Sequence, residues 1–142
     1  MNLFGVLDVS AGALKAERLR AEVTAANLAN AETTRTQQGG PYVRQQVVFS
    51  AARTPAMQGG SFADLQVQGV QVSGPVSDPA PPVMRYEPGH PDADAAGMVA
   101  YPAINPVQEM VDLMGAARAY QLNAAAVQST KNMVQASIDI LH

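Results

Sequence analysis

Residues 105–141 read NPVQEMVDLMGAARAYQLNAAAVQSTKNMVQASIDIL. Asn105 can cap a helix, Pro106 suits its first turn, and Gln108 follows the cap by three positions, as in a capping box. Apolar and small side chains then recur every seven residues, the spacing of coiled-coil-like packing. The two rows of this repeat are Leu113, Tyr120, Val127, Val134 and Leu141, and Met110, Ala117, Ala124, Lys131 and Ile138. The stretch therefore predicts one helix over residues 106–141, about 54 Å long.

A second repeat of the same kind stands at the other end of the chain. Its rows are Leu7, Leu14, Ala21 and Leu28, and Phe4, Ala11, Arg18 and Ala25. Asn30 suits the end of this helix because asparagine tolerates the left-handed conformation. The pattern predicts an amphipathic helix over residues 3–30, about 42 Å long.

The position and the low charge of these helices bear on what they pack against. Each repeat taken alone fits a helix on the core of its own domain. However, the outer face of the second helix is mostly Ala, Gln, Asn, Ser and Thr, where a solvated face would carry more charge. Its charges are Glu109, Asp112, Arg118, Lys131 and Asp139. We therefore expect burial on several sides, and antiparallel pairing of the two helices because the chain must return after its middle segment.

The apolar rows predict which residues form the helix seam. They are Phe4, Leu7, Leu14, Ala21, Leu28, Met110, Leu113, Ala117, Tyr120, Ala124, Val127, Val134, Ile138 and Leu141.

The middle of the chain has a different composition. Residues 32–104 hold 9 of the 10 prolines and 8 of the 11 glycines, which excludes long helices there. Short runs with strand character alternate with turns, and Gly69 shifts the phase of one run as a bulge would. The predicted strands are 42–49, 65–72, 83–86 and 98–101. We therefore predict an α+β chain with an N-terminal helical arm (1–34), a β-rich middle domain with a loop at 50–82 (35–104) and a C-terminal helical arm (105–142).

Composition excludes several classes of function. The chain has no cysteine, so disulfides, thiolate metal sites and cysteine nucleophiles are absent. The net charge of −3 lacks the excess of positive charge that is typical of nucleic-acid-binding proteins. No apolar run approaches the roughly 18 residues of a membrane span, and no cleavable signal peptide is evident. These features predict a soluble, cytosolic chain. A dedicated export route that uses no cleaved signal would leave no trace in them.

One string has the composition of a metal site. His90, Asp92 and Asp94 could ligate a hard or borderline metal ion. The more economical interpretation is a turn in which the Asp side chains accept hydrogen bonds from nearby backbone N–H groups. The preceding Pro88-Gly89 pair fits a type II turn, which would give Gly89 a positive φ.

Two further patterns have simpler interpretations. Gly39-Gly40-Pro41 lacks the spacing, the lysine and the following helix of a phosphate loop, so it predicts a tight turn or hinge. Ser10, Ser129 and Thr130 have no His and Asp partners in the pattern of a nucleophile triad. No cofactor is expected.

Several strings, in this order and spacing, carry a family resemblance. They are Ala26-Asn27-Leu28-Ala29-Asn30-Ala31-Glu32-Thr33-Thr34, Gly39-Gly40-Pro41-Tyr42, Tyr86-Glu87-Pro88-Gly89-His90-Pro91-Asp92-Ala93-Asp94, Tyr101-Pro102, Asn105-Pro106-Val107-Gln108-Glu109-Met110-Val111-Asp112 and Arg118-Ala119-Tyr120. The first resembles the signature of bacterial flagellar axial proteins. Together they resemble the proximal rod proteins of the flagellar basal body, the C-subunit family. The chain departs from that pattern at Val43-Arg44-Gln45-Gln46, at Ala103 and at Tyr120-Gln121-Leu122-Asn123, and residues 50–82 match nothing in it.

The resemblance implies a building block rather than an enzyme. It implies a hollow drive shaft formed by terminal helices stacking with those of neighbours, while the middle segment braces the outside. The implied partners are copies of the chain, other rod proteins, and rod–ring junction and export-gate proteins. The implied location is the periplasm-spanning rod, reached through the flagellar type III apparatus without a cleaved signal. The alternatives are another rod or hook-like axial protein, a metal-dependent enzyme at His90, Asp92 and Asp94, or a free coiled-coil adaptor.

Overall fold

The computed structural model describes residues 3–53 and 67–139, with side chains described from residue 5 to 51 and from 69 to 139. The elements in chain order are α1 (Leu3–Ala29), β1 (Gln45–Arg53), β2 (Val67–Ser77), β3 (Val83–Tyr86), β4 (Met98–Tyr101) and α2 (Pro106–Asp139). Two long helices therefore enclose two small antiparallel strand pairs in the chain, which confirms the predicted α+β class.

The start of α2 is capped as its sequence predicts. The Asn105 Oδ1 atom accepts hydrogen bonds from the backbone N–H groups of Val107 at 3.0 Å and Gln108 at 3.4 Å. These bonds satisfy two donors that the first turn of a helix leaves free. The predicted start at residue 106 is confirmed, and the predicted end at 141 lies outside the described residues.

The end of α1 differs from the expectation in its mechanism. Within the described residues, only glycines have a positive φ, so Asn30 does not take the left-handed conformation. Instead, its backbone N–H and its side-chain Nδ2 both donate to the carbonyl of Ala26, at 3.1 and 2.9 Å. Asn30 ends the helix by occupying a terminal carbonyl with its own amide.

The two helices pair in antiparallel orientation. Asn27, near the end of α1, contacts Glu109 near the start of α2, and Arg20 contacts Asp112 further along. Moving back along α1 thus corresponds to moving forward along α2. The antiparallel arrangement expected from the sequence is confirmed.

The buried row of α2 lies one residue before the predicted row. Glu109, Ala116 and Thr130 are buried, with Asn123 half-buried between them. Within the single chain, the predicted seam residues Met110, Ala117, Tyr120, Ala124 and Ile138 are exposed. The single chain therefore does not bury these five residues, and their place in the seam of the assembly stays a prediction. Alanine occupies so many positions of α2 that the repeat does not indicate which side is buried.

The other predicted seam residues lie beside the buried row. Half-buried positions are Leu7, Leu14, Ala21, Leu28, Leu113, Val127 and Val134. The side chain of Phe4, and Leu141 as a whole, lie outside the described residues.

The first strand pair is longer than predicted. β1 begins at Gln45 rather than at residue 42, and β2 runs to Ser77. The predicted loop 50–82 is therefore wrong at residues 50–53 and 73–77, whereas the predicted strand 65–72 is confirmed over residues 67–72. Pro75 lies in β2 between the partners of Gln46 and Val48, where the register of the strand pair shifts. A proline has no backbone N–H to donate to a regular ladder, and it is tolerated at such an irregularity.

The predicted bulge at Gly69 is confirmed. The register shifts between Ala51 and Arg53, and Gly69 has a φ of 106°. A Cβ atom at Gly69 would lie 3.4 Å from the Cα atom of Val9, so this bend carries the strand pair against α1. The second pair, β3 with β4, joins Val83 to Tyr101 and has the predicted limits.

Candidate functional site

Asn27 is the centre of a polar junction between both helices and the middle segment. It is 1% exposed. Its Nδ2 donates to the Gln45 carbonyl at 2.8 Å and to Glu109 Oε2 at 3.1 Å. Its Oδ1 accepts from the Gln45 N–H at 2.9 Å and from the Tyr42 hydroxyl at 3.1 Å. All four hydrogen bonds that an amide side chain can make are thus used to join α1, α2 and the start of β1.

Glu109 supplies the negative charge of this junction. It is 1% exposed, and its Oε1 receives the Nε and Nη2 atoms of Arg44 at 2.8 and 2.7 Å. Arg44 also reaches Asp78, just past β2, with its Nη1 at 3.4 Å. A buried carboxylate is tolerated only when it is paired and hydrogen-bonded, and here both of its oxygens are engaged.

The electrostatics of the junction keep Arg44 charged and Tyr42 neutral. Burial acts to lower the pKa of Arg44, but the hydrogen bonds and charges of Glu109 and Asp78 outweigh it and raise that pKa. Burial, helped by the negative charge of Glu109, raises the pKa of Tyr42. Tyr42 therefore remains a hydrogen-bond donor to Asn27 at neutral pH.

Three of the strings that carry the family resemblance meet in this junction. Asn27 belongs to the first, Tyr42 to the second and Glu109 to the string at the start of α2. We name the set Asn27, Tyr42, Arg44, Gln45, Asp78 and Glu109 the polar junction. Sequence reasoning missed Arg44 and Asp78. The sequence feature that could have indicated them is Glu109, an acidic residue beside an apolar row, because a buried carboxylate requires a cationic partner.

The loop between β3 and β4 holds most of the family string 86–94, and its aspartates accept hydrogen bonds from the segment after α1 and from the loop itself. Asp92 Oδ2 accepts from the Thr34 hydroxyl at 2.8 Å, which ties this loop to the end of α1. Asp94 Oδ1 accepts from the backbone N–H groups of Ala96 and Met98 at 2.8 and 2.9 Å. Asp94 is thus a turn residue, and within the described ranges no group of three or more His, Cys, Asp or Glu side chains could hold a metal ion.

His90 and its neighbours surround Tyr101. The His90 ring meets the Tyr101 ring edge-on at 6.3 Å, and the Arg85 guanidinium lies 4.5 Å from the Tyr101 ring centroid. The Tyr101 hydroxyl donates to Glu87 at 2.9 Å, and this hydrogen bond is the main reason that the pKa of Tyr101 is raised. His90 also accepts the backbone N–H of Asp92 on its Nδ1 atom at 3.1 Å. These contacts make the string a scaffold for β3 and β4.

The turn at Pro88-Gly89 forms, but not in the expected type. The His90 N–H donates to the Glu87 carbonyl at 3.0 Å, which closes a four-residue turn. Gly89 does not have a positive φ, so a type II turn is excluded and that expectation is wrong. The glycine of this loop with a positive φ is Gly97, with a φ of 76°, where a Cβ atom would lie 2.9 Å from Tyr86 Cε2 and 3.2 Å from Pro88 Cβ.

We expect Gly97→Val to lower the free energy of unfolding by about 2–3 kcal/mol, because a β-branched residue would be strained there and would collide with Tyr86. The matched control is Gly89→Val, since no atom lies within 4 Å of its Cβ position. Chemical denaturation followed by circular dichroism measures both. Equal effects of the two substitutions would contradict this assignment.

The other residues of the three strings that meet in the polar junction lie at the ends of elements. Gly39, Gly40 and Pro41 form the turn between α1 and β1, closed by a bond from the Thr36 N–H to the Gly40 carbonyl at 2.9 Å, which confirms the predicted tight turn. Leu28 and Ala29 end α1, and the Thr33 hydroxyl lies 3.2 Å from Asn30 Oδ1. Pro106 and Met110 lie in the first turns of α2.

Within the described residues, no helix is long and apolar enough to cross a membrane.

Two family models match the ends of the chain. Residues 7–37 match "Flagella basal body rod protein", and residues 95–140 match "Flagellar basal body rod FlgEFG protein C-terminal". The first range covers most of α1 and the turn after it, and the second covers β4 and α2. Together with the fold, they define the class as flagellar basal-body rod proteins.

Full-length relatives narrow this class. The chain is 38% identical to the flagellar basal-body rod protein FlgC of Borreliella burgdorferi and to that of Bacillus subtilis, each over 99% of both chains. It is 38% identical to FlgC of Salmonella typhimurium over 94% of both chains. The chain belongs to the FlgC family of proximal rod proteins. It is a structural subunit of the flagellar basal body, and the predicted family and non-enzymatic role are confirmed.

Proposed function

We propose that this subunit builds the rod by burying its exposed helix faces against copies of itself and other rod proteins, with rod–ring junction and export-gate proteins at the ends. The observation that carries the proposal is an unusual balance of burial. The described part of the chain buries only five apolar residues, and as many polar ones, while 16 large apolar residues remain exposed. Eight of those 16 lie on α2. Exposed apolar surface of this extent is typical of a chain that is completed by assembly.

In this proposal, the polar junction sets the shape of the subunit before assembly. It binds the start of β1 and the start of α2 to the end of α1 through directional hydrogen bonds. Such bonds define angles more narrowly than apolar contacts do. The middle segment is thereby held at a fixed angle to the helix pair, so that it can brace the outside of the shaft in each copy. The limits 1–34, 35–104 and 105–142 for arms and middle domain belong to the same proposal.

The route and the location form a second part of the proposal. The subunit passes through the flagellar type III apparatus without a cleaved signal and resides in the part of the rod that spans the periplasm. The absence of cysteine from the sequence suits this route, because no disulfide has to form after export.

The test uses a charge placed in the helix seam. Val127 is half-buried on the side of α2 that faces α1. Val127→Asp would bury a carboxylate without a partner, at a cost of several kcal/mol once the helices are packed in the wall. We expect a strain that depends on this variant to be non-motile, with the subunit present in cells and absent from isolated basal bodies.

The matched control is Gln121→Glu, which adds one negative charge at an exposed position of the same helix. This strain should remain motile. Normal rods with Val127→Asp would contradict the proposed use of the helix pair in assembly.

A further inference from the structure

We infer that the proline-rich segment between β2 and β3 is a docking site for another protein, one that has a groove lined with aromatic side chains. The segment reads Pro79-Ala80-Pro81-Pro82, and we call these four residues the proline strip. The inference goes beyond the proposed function, because the strip belongs neither to the helix pair nor to the polar junction.

The family relationship does not account for the proline strip. The two family models match residues 7–37 and 95–140, and the strip lies in the unmatched part between them. It also lies within residues 50–82, which have no counterpart among the strings that carry the family resemblance. The features that define the family therefore assign this segment no role.

The sequence of the strip keeps its backbone extended. A proline ring holds φ at about −65°, and the residue before a proline is kept out of the helical region. Residues 78, 80 and 81 each precede a proline, so one or both restrictions act on every residue from 78 to 82. In the structure, this segment is neither helix nor strand. It has the restraints of a polyproline II helix, the conformation in which PxxP motifs bind their partners.

Both ends of the strip are held by the rest of the subunit. The Asp78 N–H donates to the Arg44 carbonyl at 2.8 Å, and the Asp78 carboxylate accepts from Arg44 Nη1 at 3.4 Å and from the Ala80 N–H at 3.3 Å. On the other side, β3 begins with Val83 and pairs with β4 along its whole length. A partner therefore meets a segment that has already lost much of its conformational freedom, which favours binding.

The strip is the centre of an exposed, mainly apolar surface. All four of its residues are exposed. Val76 before it and Val83 and Met84 after it are 51%, 48% and 49% exposed. Exposed apolar side chains that are concentrated in one segment are typical of a protein-binding surface.

Arg85 indicates the charge of the groove that fits. It follows Pro82 by three positions and is exposed. Its guanidinium lies 4.5 Å from the Tyr101 ring centroid, and it makes no ion pair within the described residues. A groove with aromatic side chains for the prolines and a carboxylate at one end would complement both features. The occupant is therefore a protein domain that recognises polyproline II segments.

Photo-cross-linking in living cells identifies the partner. The photoreactive residue p-benzoylphenylalanine replaces either Val76 or Met84 in the full-length chain, in a strain that lacks the native protein. We expect one cross-linked protein common to both positions, with aromatic residues around the attachment site when it is mapped by mass spectrometry. The same probe at Gln121, an exposed position of α2, should not capture this protein.

Matched variants measure whether the contact depends on the prolines. Pro79→Ala with Pro82→Ala removes the PxxP spacing, whereas Pro88→Ala with Pro91→Ala removes two exposed prolines elsewhere. The protein identified by cross-linking is purified and titrated with each full-length chain by calorimetry. We expect the Kd to rise at least about tenfold for the first pair and to change less than about twofold for the second. Circular dichroism should give the same helix content for both.

Three results would overturn the inference. They are the absence of a cross-linked protein, a product that is a second copy of the chain or another rod protein, and an equal Kd for the two pairs of variants. Recovery from basal bodies separates the inference from the proposed function. The chain with Pro79→Ala and Pro82→Ala should be incorporated like the wild type, and its loss from basal bodies would show that the strip serves assembly instead of docking.

Discussion

Asn27→Leu should detach the middle segment from the helix pair and lower the free energy of unfolding by about 3–5 kcal/mol. The substitution removes four hydrogen bonds and leaves the Gln45 backbone, the Tyr42 hydroxyl and one oxygen of Glu109 without their partner. Each buried polar group left unsatisfied costs about 1–3 kcal/mol. Leucine has the same number of side-chain heavy atoms in the same branched arrangement, so the loss would arise from the missing bonds rather than from a cavity.

The control for this prediction is Asn30→Leu. Asn30 is the same residue type one turn later, and its amide donates only to the Ala26 carbonyl. We expect its replacement to cost no more than about 1 kcal/mol. Hydrogen exchange of the β1 amides adds a local measurement, since exchange at Gln45 should become fast in Asn27→Leu and remain slow in the control. Equal stabilities of the two variants would contradict the central role of Asn27.

Arg44→Met should lower the free energy of unfolding by about 3–5 kcal/mol, because it leaves the carboxylate of Glu109 buried with Asn27 as its remaining partner. Arg18→Met is the control. Its ion pair with Glu22, at 2.8 Å, is exposed to solvent, and we expect no measurable change in the free energy of unfolding. Urea denaturation of the two variants measures the difference between a buried and an exposed ion pair.

A double-mutant cycle isolates the Arg44–Glu109 interaction. Once Arg44 is methionine, Glu109→Gln removes the unpaired charge and should restore part of the lost stability. The cost of the double variant should therefore be smaller than the sum of the two single costs by at least about 1 kcal/mol. Strictly additive costs would show that the two side chains act independently of each other.

Sequence reasoning worked well where the deciding interactions are local. The Asn105 cap depends on a side chain two and three residues from its partners, and Pro106 is suited to the first turn by its own ring. The limits of β3 and β4, the bulge at Gly69 and the turn at Gly39-Gly40 are equally local. The family strings added the class of protein, which full-length relatives then confirmed.

Sequence reasoning worked less well where several conformations satisfy the same local pattern. Pro88-Gly89 fits more than one turn type, and the structure adopts one without a positive φ at Gly89. Pro75 lies within the predicted loop 50–82, but a register shift in the strand pair accommodates this proline in β2. At Gly97 a Cβ atom would lie too close to Tyr86 and Pro88, which are not its neighbours in sequence.

The sequence by itself determined that two long helices lie at the ends of this chain, because their period, caps and lack of proline are all written in consecutive residues. Only the tertiary structure decided which side of each helix faces the other. Alanine and glutamine occur all around α2, so the repeat defines a period without a phase. The buried side is selected instead by Asn27, Arg44 and Glu109, whose hydrogen bonds span up to 82 positions of sequence. A buried polar group is stable only with its partners in place, and those partners meet only once the chain has folded.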